Sequence, residues 1–125
     1  MIDVIIDVSG YFAPPSANGL YFHPLPKPVR MLDTRPGQGN CDTVSNPIAA
    51  GSSLTTQARI TCEGVTIPAS AKAIVVNATV VNGSGQTGYL TIYPAGGQVP
   101  LAANIIYFPG QILSNAFTVG LSSGV

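Results

Sequence analysis

Ile2, Val4, Ile6 and Val8 fall at every second position, Asp3 and Asp7 stand between them, and Gly10 ends the run. Alternation at period two sends one set of side chains to one face of a strand, so residues 1–12 predict a strand with one buried face. Its open row of N–H and C=O groups must pair with a sheet, either in its own domain or in a neighbour's. The same period returns downstream. Leu54, Thr56, Ala58 and Ile60 alternate with Thr55, Gln57, Arg59 and Thr61, which predicts a half-buried strand ending at Cys62. Residues 73–81 form the strongest interior run, with Ile74, Val76, Ala78 and Val80 on one face and Ala73, Val75, Asn77, Thr79 and Val81 on the other. The second face is only partly polar, so cover is expected on both sides. A Gly-rich loop then leads into residues 89–93, with Leu90 and Ile92 facing in, and the two runs read as a hairpin. Residues 104–108 predict a further short strand, and 112–121 another, with Leu113, Phe117, Val119 and Leu121 on one face.

Between these runs lies turn chemistry. Residues 13–19 hold Pro14, Pro15 and Gly19 and read as a linker. Pro24, Pro26 and Pro28 occupy alternate positions, which forces extended geometry and confines any pairing there to an edge. Leu25 and Val29 can still cover one end of a core. Residues 36–52 are rich in Gly, Asn, Pro and Ser and read as loop. Turns recur roughly every ten residues and no convincing helical period remains, so the expected fold is all-β. It is read as a single β-sandwich, jelly-roll or Greek-key-like, with about eight short strands and no substantial helix. The expected organisation is an N-terminal strand at 1–12, a linker at 13–19 and the sandwich at 20–125.

Composition narrows the function classes. Hydrophobic residues make up 46% of the 125 and charged residues 8%, and Gly 14 with Pro 11 supplies the turns that many short strands need. Five Lys+Arg balance five Asp+Glu, so the chain has no basic field for nucleic acid or anionic lipid. So little charge gives copies little electrostatic repulsion and favours association; a secreted or glycosylated surface of low charge explains it equally. No apolar run is long enough to cross a membrane. Residues 2–8 carry Asp3 and Asp7 and no basic flank, so no signal peptide is expected within the sequence; an exported protein would have its leader removed or outside it.

Candidate chemistry is sparse. Cys41 and Cys62 are too few for a zinc site and form no CxxC. They are either a disulfide, worth roughly 3 kcal/mol and implying an oxidising compartment, or a pair of buried thiols. Arg30, Asp33 and Arg35 form the densest charge cluster, which either binds an acidic ligand or ties a loop to the sheet. With no second carboxylate or histidine nearby in sequence, the structural ion pair is favoured. Residues 83–88 spell G-x-G-x-x-G, yet they lead into a strand and not into the helix that a phosphate cradle must open. His23, the single histidine, has no partner at a recognisable spacing, and the acids are too scattered for a glycosidase pair. No cofactor is expected. Asn77 and Asn82 each begin a glycosylation triplet, and Asn82, in a loop, is the better acceptor. Asn77, Asn104 and Asn115, inside expected strands, read as hydrogen-bonded amides. Tyr11, Phe12, Tyr21, Phe22, Tyr89, Tyr93 and Tyr107 serve either as a stacking platform for sugars or as packing groups, and the absence of Trp weakens the former.

Several of these stretches taken together resemble a known repeat. They are Asp3-Val-Ile-Ile-Asp-Val-Ser-Gly-Tyr-Phe12, Arg30-Met-Leu-Asp-Thr-Arg35, Ala73-Ile-Val-Val-Asn-Ala-Thr79, Gly88-Tyr-Leu-Thr-Ile-Tyr-Pro94 and Asn104. The chain resembles a β-rich tandem repeat of secreted and cell-surface proteins of bacteria such as actinobacteria and Chloroflexi. The likeness spans nearly the whole chain, and its motifs are structural. In such repeats the D-V-x-V-D-V-x-G-Y-F segment looks like the closing strand of a unit, whereas here it comes first. Either Ile2, Val4, Ile6 and Val8 belong to a strand in the chain's own sheet, or they form an assembly strand that completes the sheet of a neighbouring copy. The resemblance implies a non-enzymatic module of an extracellular or cell-surface assembly, a filament subunit or tandem-repeat stalk whose partners are copies of itself, joined head-to-tail by strand complementation. The alternative it implies is a module that binds cell-wall glycan beside a hydrolase.

Overall fold

Val4, Ile6 and Val8 are each 6% exposed or less, and the strand that carries them lies at the middle of the main sheet. The structure is a computed structural model and describes residues 1–14, 19–39, 41–42, 44–81 and 85–123, the side chain of Ser9 aside. Its eight strands in chain order are β1 Asp3–Ala13, β2 Tyr21–Asp33, β3 Thr61–Cys62, β4 Val65–Thr66, β5 Ala73–Val81, β6 Gly88–Leu90, β7 Ile105–Tyr107 and β8 Leu113–Gly120. The fold is all-β, and no helix occurs among the described residues. One four-stranded antiparallel sheet has the order β2-β1-β5-β8, and β3-β4 and β6-β7 form two small ribbons.

The register explains which side chains meet. Residues directly opposite one another share a face, so Val29, Val8, Val76 and Phe117 form one cross-sheet row and Leu32, Ile6, Ala78 and Asn115 the next. β5 alternates as expected, with Ile74, Val76, Ala78 and Val80 buried. Its second face is half-buried rather than covered. Val4, Val8, Val29, Val76 and Val80 lose nearly all contact with water, which stabilises the fold by roughly 1.5–3 kcal/mol per side chain. β1 needs one extra residue to stay in phase: between Val8↔Val76 and Gly10↔Val75 the register passes over Ser9, a bulge. Beyond it Gly10 lies beneath the Phe22 ring, where any Cβ would collide.

Three expectations need correction. Residues 54–60 form no strand, although Leu54, Thr56 and Ala58 are more buried than Thr55 and Gln57 between them. Alternating burial requires only an extended chain against a core, whereas a strand also requires a ladder of backbone hydrogen bonds, and the stretch belongs to none among the described residues; only at its end does Ile60 O accept from Ile67 N, at 2.9 Å. Next, β5 makes no hairpin with the strand after the Gly-rich loop. Its neighbours are β1 and β8, and β6 pairs with β7 instead, from Gly88↔Tyr107 to Leu90↔Ile105. Residues 82–84 of that loop lie outside the described residues. Finally, β1 runs to Ala13, so the boundary expected after residue 12 falls inside a strand, and the domain expected at 20–125 has this strand at its centre. The β3-β4 ribbon was not anticipated. Its two-residue turn places Glu63 at φ 49° and Gly64 at φ 79°, the pair of left-handed residues that a tight hairpin turn demands.

Candidate functional site

The charge cluster forms where β2 ends beside the start of β1. Asp33 is fully buried and accepts three hydrogen bonds from Arg35: from its backbone N (3.1 Å) and Nε (3.0 Å) at Oδ1, and from Nη2 (2.7 Å) at Oδ2. Arg30 donates through Nε to Asp7 Oδ1 at 3.1 Å and sets its Nη1 3.6 Å from Asp33 Oδ2. The forked bond from Arg35 holds the Asp33 carboxyl below its ordinary value of 3.8, although burial pushes the other way. Asp33 in turn raises the pKa of Arg35. Thr34 completes the arrangement. Fully buried, it accepts a hydrogen bond at Oγ1 from Val4 N (2.7 Å) and donates its own N–H to Val4 O (2.9 Å). Arg30, Asp33 and Arg35 therefore come together as expected. Both guanidinium groups bond to carboxylates of this chain, and Thr34 ties the segment to the start of β1.

Replacing Asp33 with Asn is expected to lower unfolding free energy by about 2–3 kcal/mol, short of the loss typical for a fully buried pair because the arginine side chains are 31% and 41% exposed and can hydrate. Because the folded-state pKa of Asp33 is depressed, its contribution is complete above the unfolded value and is lost as pH falls through the folded one. Urea titrations of both proteins from neutral pH to below pH 3 check this: the stability difference should narrow on acidification. A constant gap would show that the carboxylate charge is not what Arg35 reads.

Ile2, Val4, Ile6 and Val8 lie within the chain's own sheet and its margin; Ile2 bridges to Ile48, with N···O distances of 3.1 and 2.8 Å. Cys41 and Cys62 are joined in a disulfide with Cα atoms 5.7 Å apart. Asn104 Oδ1 accepts from Ile92 N at 2.7 Å, and Asn115 Nδ2 donates to Asn104 O at 2.9 Å, so both amides bond to backbone as read from the sequence. Asn82 lies outside the described residues. His23 stacks on Tyr11, ring centroids 4.9 Å apart, and Phe12 packs against Phe22.

A cleft of about 860 Å³ opens over the inner face of the main sheet. Val4, Ile6, Ile74 and Val76 line it together with residues 48–59 and residues 86–97. Tyr89, Tyr93 and Tyr107 border it, with Gln57, Gln86 and Thr91 among the polar groups. The seven aromatics therefore divide: these three at the cleft, and Tyr11, Phe12, Tyr21 and Phe22 on the β1–β2 ladder. Among the described residues no group of three or more His, Cys, Asp or Glu side chains could hold a metal ion, and no helix is long and apolar enough to cross a membrane.

The two edges of the main sheet differ in kind. On β2, Pro24, Pro26 and Pro28 lack N–H donors, and four residues, 25–28, bulge opposite Ser9 alone. Farther along, Arg30 O and Met31 O accept from Cys41 N (3.3 Å) and Asp42 N (3.0 Å). β8 pairs with β5 without a register shift from Ala73↔Gly120 to Val80↔Leu113, and no strand flanks its other side among the described residues. Sequence reasoning placed β8 but could not see that its far side has no partner. In comparison with known proteins, no family model, curated protein or solved structure matches this chain.

Proposed function

We propose that this protein is a non-enzymatic structural module of an extracellular or cell-surface assembly, a filament subunit or stalk unit that associates with copies of itself. The observation that carries the reading is the outer side of β8, which has no ladder among the described residues: a regular strand beside exposed apolar groups on a chain of zero net charge. The disulfide points to an oxidising, non-cytoplasmic environment. The resemblance to bacterial surface repeats supports the same location. With β1 held between β2 and β5, association through a donated β1 would first have to pull it out of its own sheet, so contact at an outer edge costs less.

A second reading, a module that binds cell-wall glycan, has the tyrosine-bordered cleft in its favour. Sedimentation of the oxidised protein over a wide concentration range, with negative-stain microscopy and co-sedimentation with isolated cell walls, separates the two. Association rising with concentration is expected. A strictly monomeric protein retained on cell walls would replace the structural reading with the glycan-binding one.

A further inference from the structure

Resting on the reading that the module associates with itself, we infer that its contact is β8 against β8 of a second copy, antiparallel across a two-fold axis. Three observations on different levels lead there. The first is the blocked alternative: β2, the opposite edge, offers prolines, a four-residue bulge and carbonyls already bonded to Cys41 and Asp42. The second is the strand itself, Leu-Ser-Asn-Ala-Phe-Thr-Val-Gly from Leu113 to Gly120, which contains no proline, no charged residue and no register shift. It lacks the proline, the charge and the bulge by which edge strands ordinarily repel a partner.

The third is the distribution of charge. All ten charged side chains, five basic and five acidic, lie between Asp3 and Lys72, and none comes after. A surface built from residues 73–123 can therefore face its own copy without bringing like charges together. Ile106 and Ile112, 64% and 68% exposed, add apolar area beside the strand. Asn115 shares the inner-face register of Leu113 and Phe117, and its side chain bonds to Asn104 O, just ahead of β7.

An antiparallel ladder between identical strands is self-complementary, and side chains directly opposed across it must share a face. With the ladder centred on Ala116, Ser114 faces Thr118 of the other copy; centred on Phe117, Ala116 faces Thr118. Both arrangements make one continuous eight-stranded sheet from two four-stranded ones. Among the described residues each copy has one open edge and one blocked edge, so edge pairing closes at two copies and builds no filament by itself. In an assembly of linked modules it would join two stalks side by side.

The test uses charge at exposed positions. S114K/T118K and S114E/T118E are each expected to weaken self-association by about tenfold or more, because like charges stand directly opposite when the ladder centres on Ala116, and diagonally opposite, position 118 to positions 114 and 118 of the other copy, when it centres on Phe117. Mixed in equal amounts, the two variants should associate again, which a merely structural effect would not produce. Thermal melts establish that each variant is folded. Should either fail to fold, concentration-dependent hydrogen-exchange protection of alternate β8 amides in the unaltered protein gives an independent readout, with protection expected to rise as copies pair. An unaltered protein that associates while neither the variants nor the β8 amides respond overturns the β8 contact and leaves the structural reading standing. A protein that stays monomeric throughout overturns both.

Discussion

A chain lacking residues 1–12 is expected not to fold: its circular dichroism should lose the strand signal and its amide spectrum should collapse to the narrow dispersion of an unfolded chain. β1 is the element through which β2 reaches the rest of the main sheet, since β2 pairs only with β1 there and β5 only with β1 and β8. Its removal takes Val4, Ile5, Ile6 and Val8, each 9% exposed or less, from the interior. At roughly 1.5–3 kcal/mol per side chain, the lost burial alone approaches the 5–15 kcal/mol by which a whole domain is usually stable. The deletion also strips the partners of Val29, Val76 and Thr34. A synthetic peptide of residues 1–12, added in trans, should restore folding if the strand acts as a core element. A soluble truncated protein with a dispersed spectrum would mean that β2 and β5 close without β1, and would return β1 to the role of a donated strand.

Loss of the Cys41–Cys62 bond is expected to cost about 3 kcal/mol, close to the chain-entropy value for a loop of this size, and to lower the melting temperature by about 10 °C. The 21-residue separation leaves a long segment unconstrained once the bond is cut. Among the described residues that segment is tied elsewhere by Cys41 N and Asp42 N donating to Arg30 O and Met31 O, by Ile48 pairing with Ile2, by the Thr56 hydroxyl bonding to the Asp42 carboxylate, by Arg59 Nε donating to Ala71 O, and by Ile67 N donating to Ile60 O. Residues 52–58 belong to no ladder. Guanidinium unfolding with and without reductant, and of the C41S/C62S protein, measures the effect. If reductant left the midpoint unchanged, the bond would contribute no stability, and the inference of an oxidising compartment would lose its energetic basis.

Arg30, Asp33 and Arg35 show how far local sequence reaches. Three complementary charges within six residues announce an ion pair, because the groups are close whatever the fold. The sequence did not announce the hydrogen bonds of Thr34 to Val4, thirty residues away, or the reach of Arg30 across to Asp7. Threonine is common in strands, and nothing local marks one that will receive a distant backbone N–H. Residues 54–60 failed for a related reason. Their side chains alternate in burial from Leu54 to Ala58, but a pattern of side chains carries no information on whether another backbone lies alongside. The turn at Glu63–Gly64 had a readable sign in its glycine, and went unread because the flanking strands are only two residues each.

What the sequence determined by itself was the class of structure and much of its interior. Period two along β1 and β5, broken by glycine and proline, dictates extended chain and sends Val4, Ile6, Val8, Ile74, Val76, Ala78 and Val80 inward, because a side chain's face depends only on its position in its own strand. What the tertiary structure decided was which strand lies beside which: β1 between β2 and β5, β6 with β7, and β8 with one side unpaired. Backbone N–H and C=O groups are the same at nearly every residue, so the choice among partners falls to packing between residues far apart in the chain, and that becomes visible only once the sheet has closed.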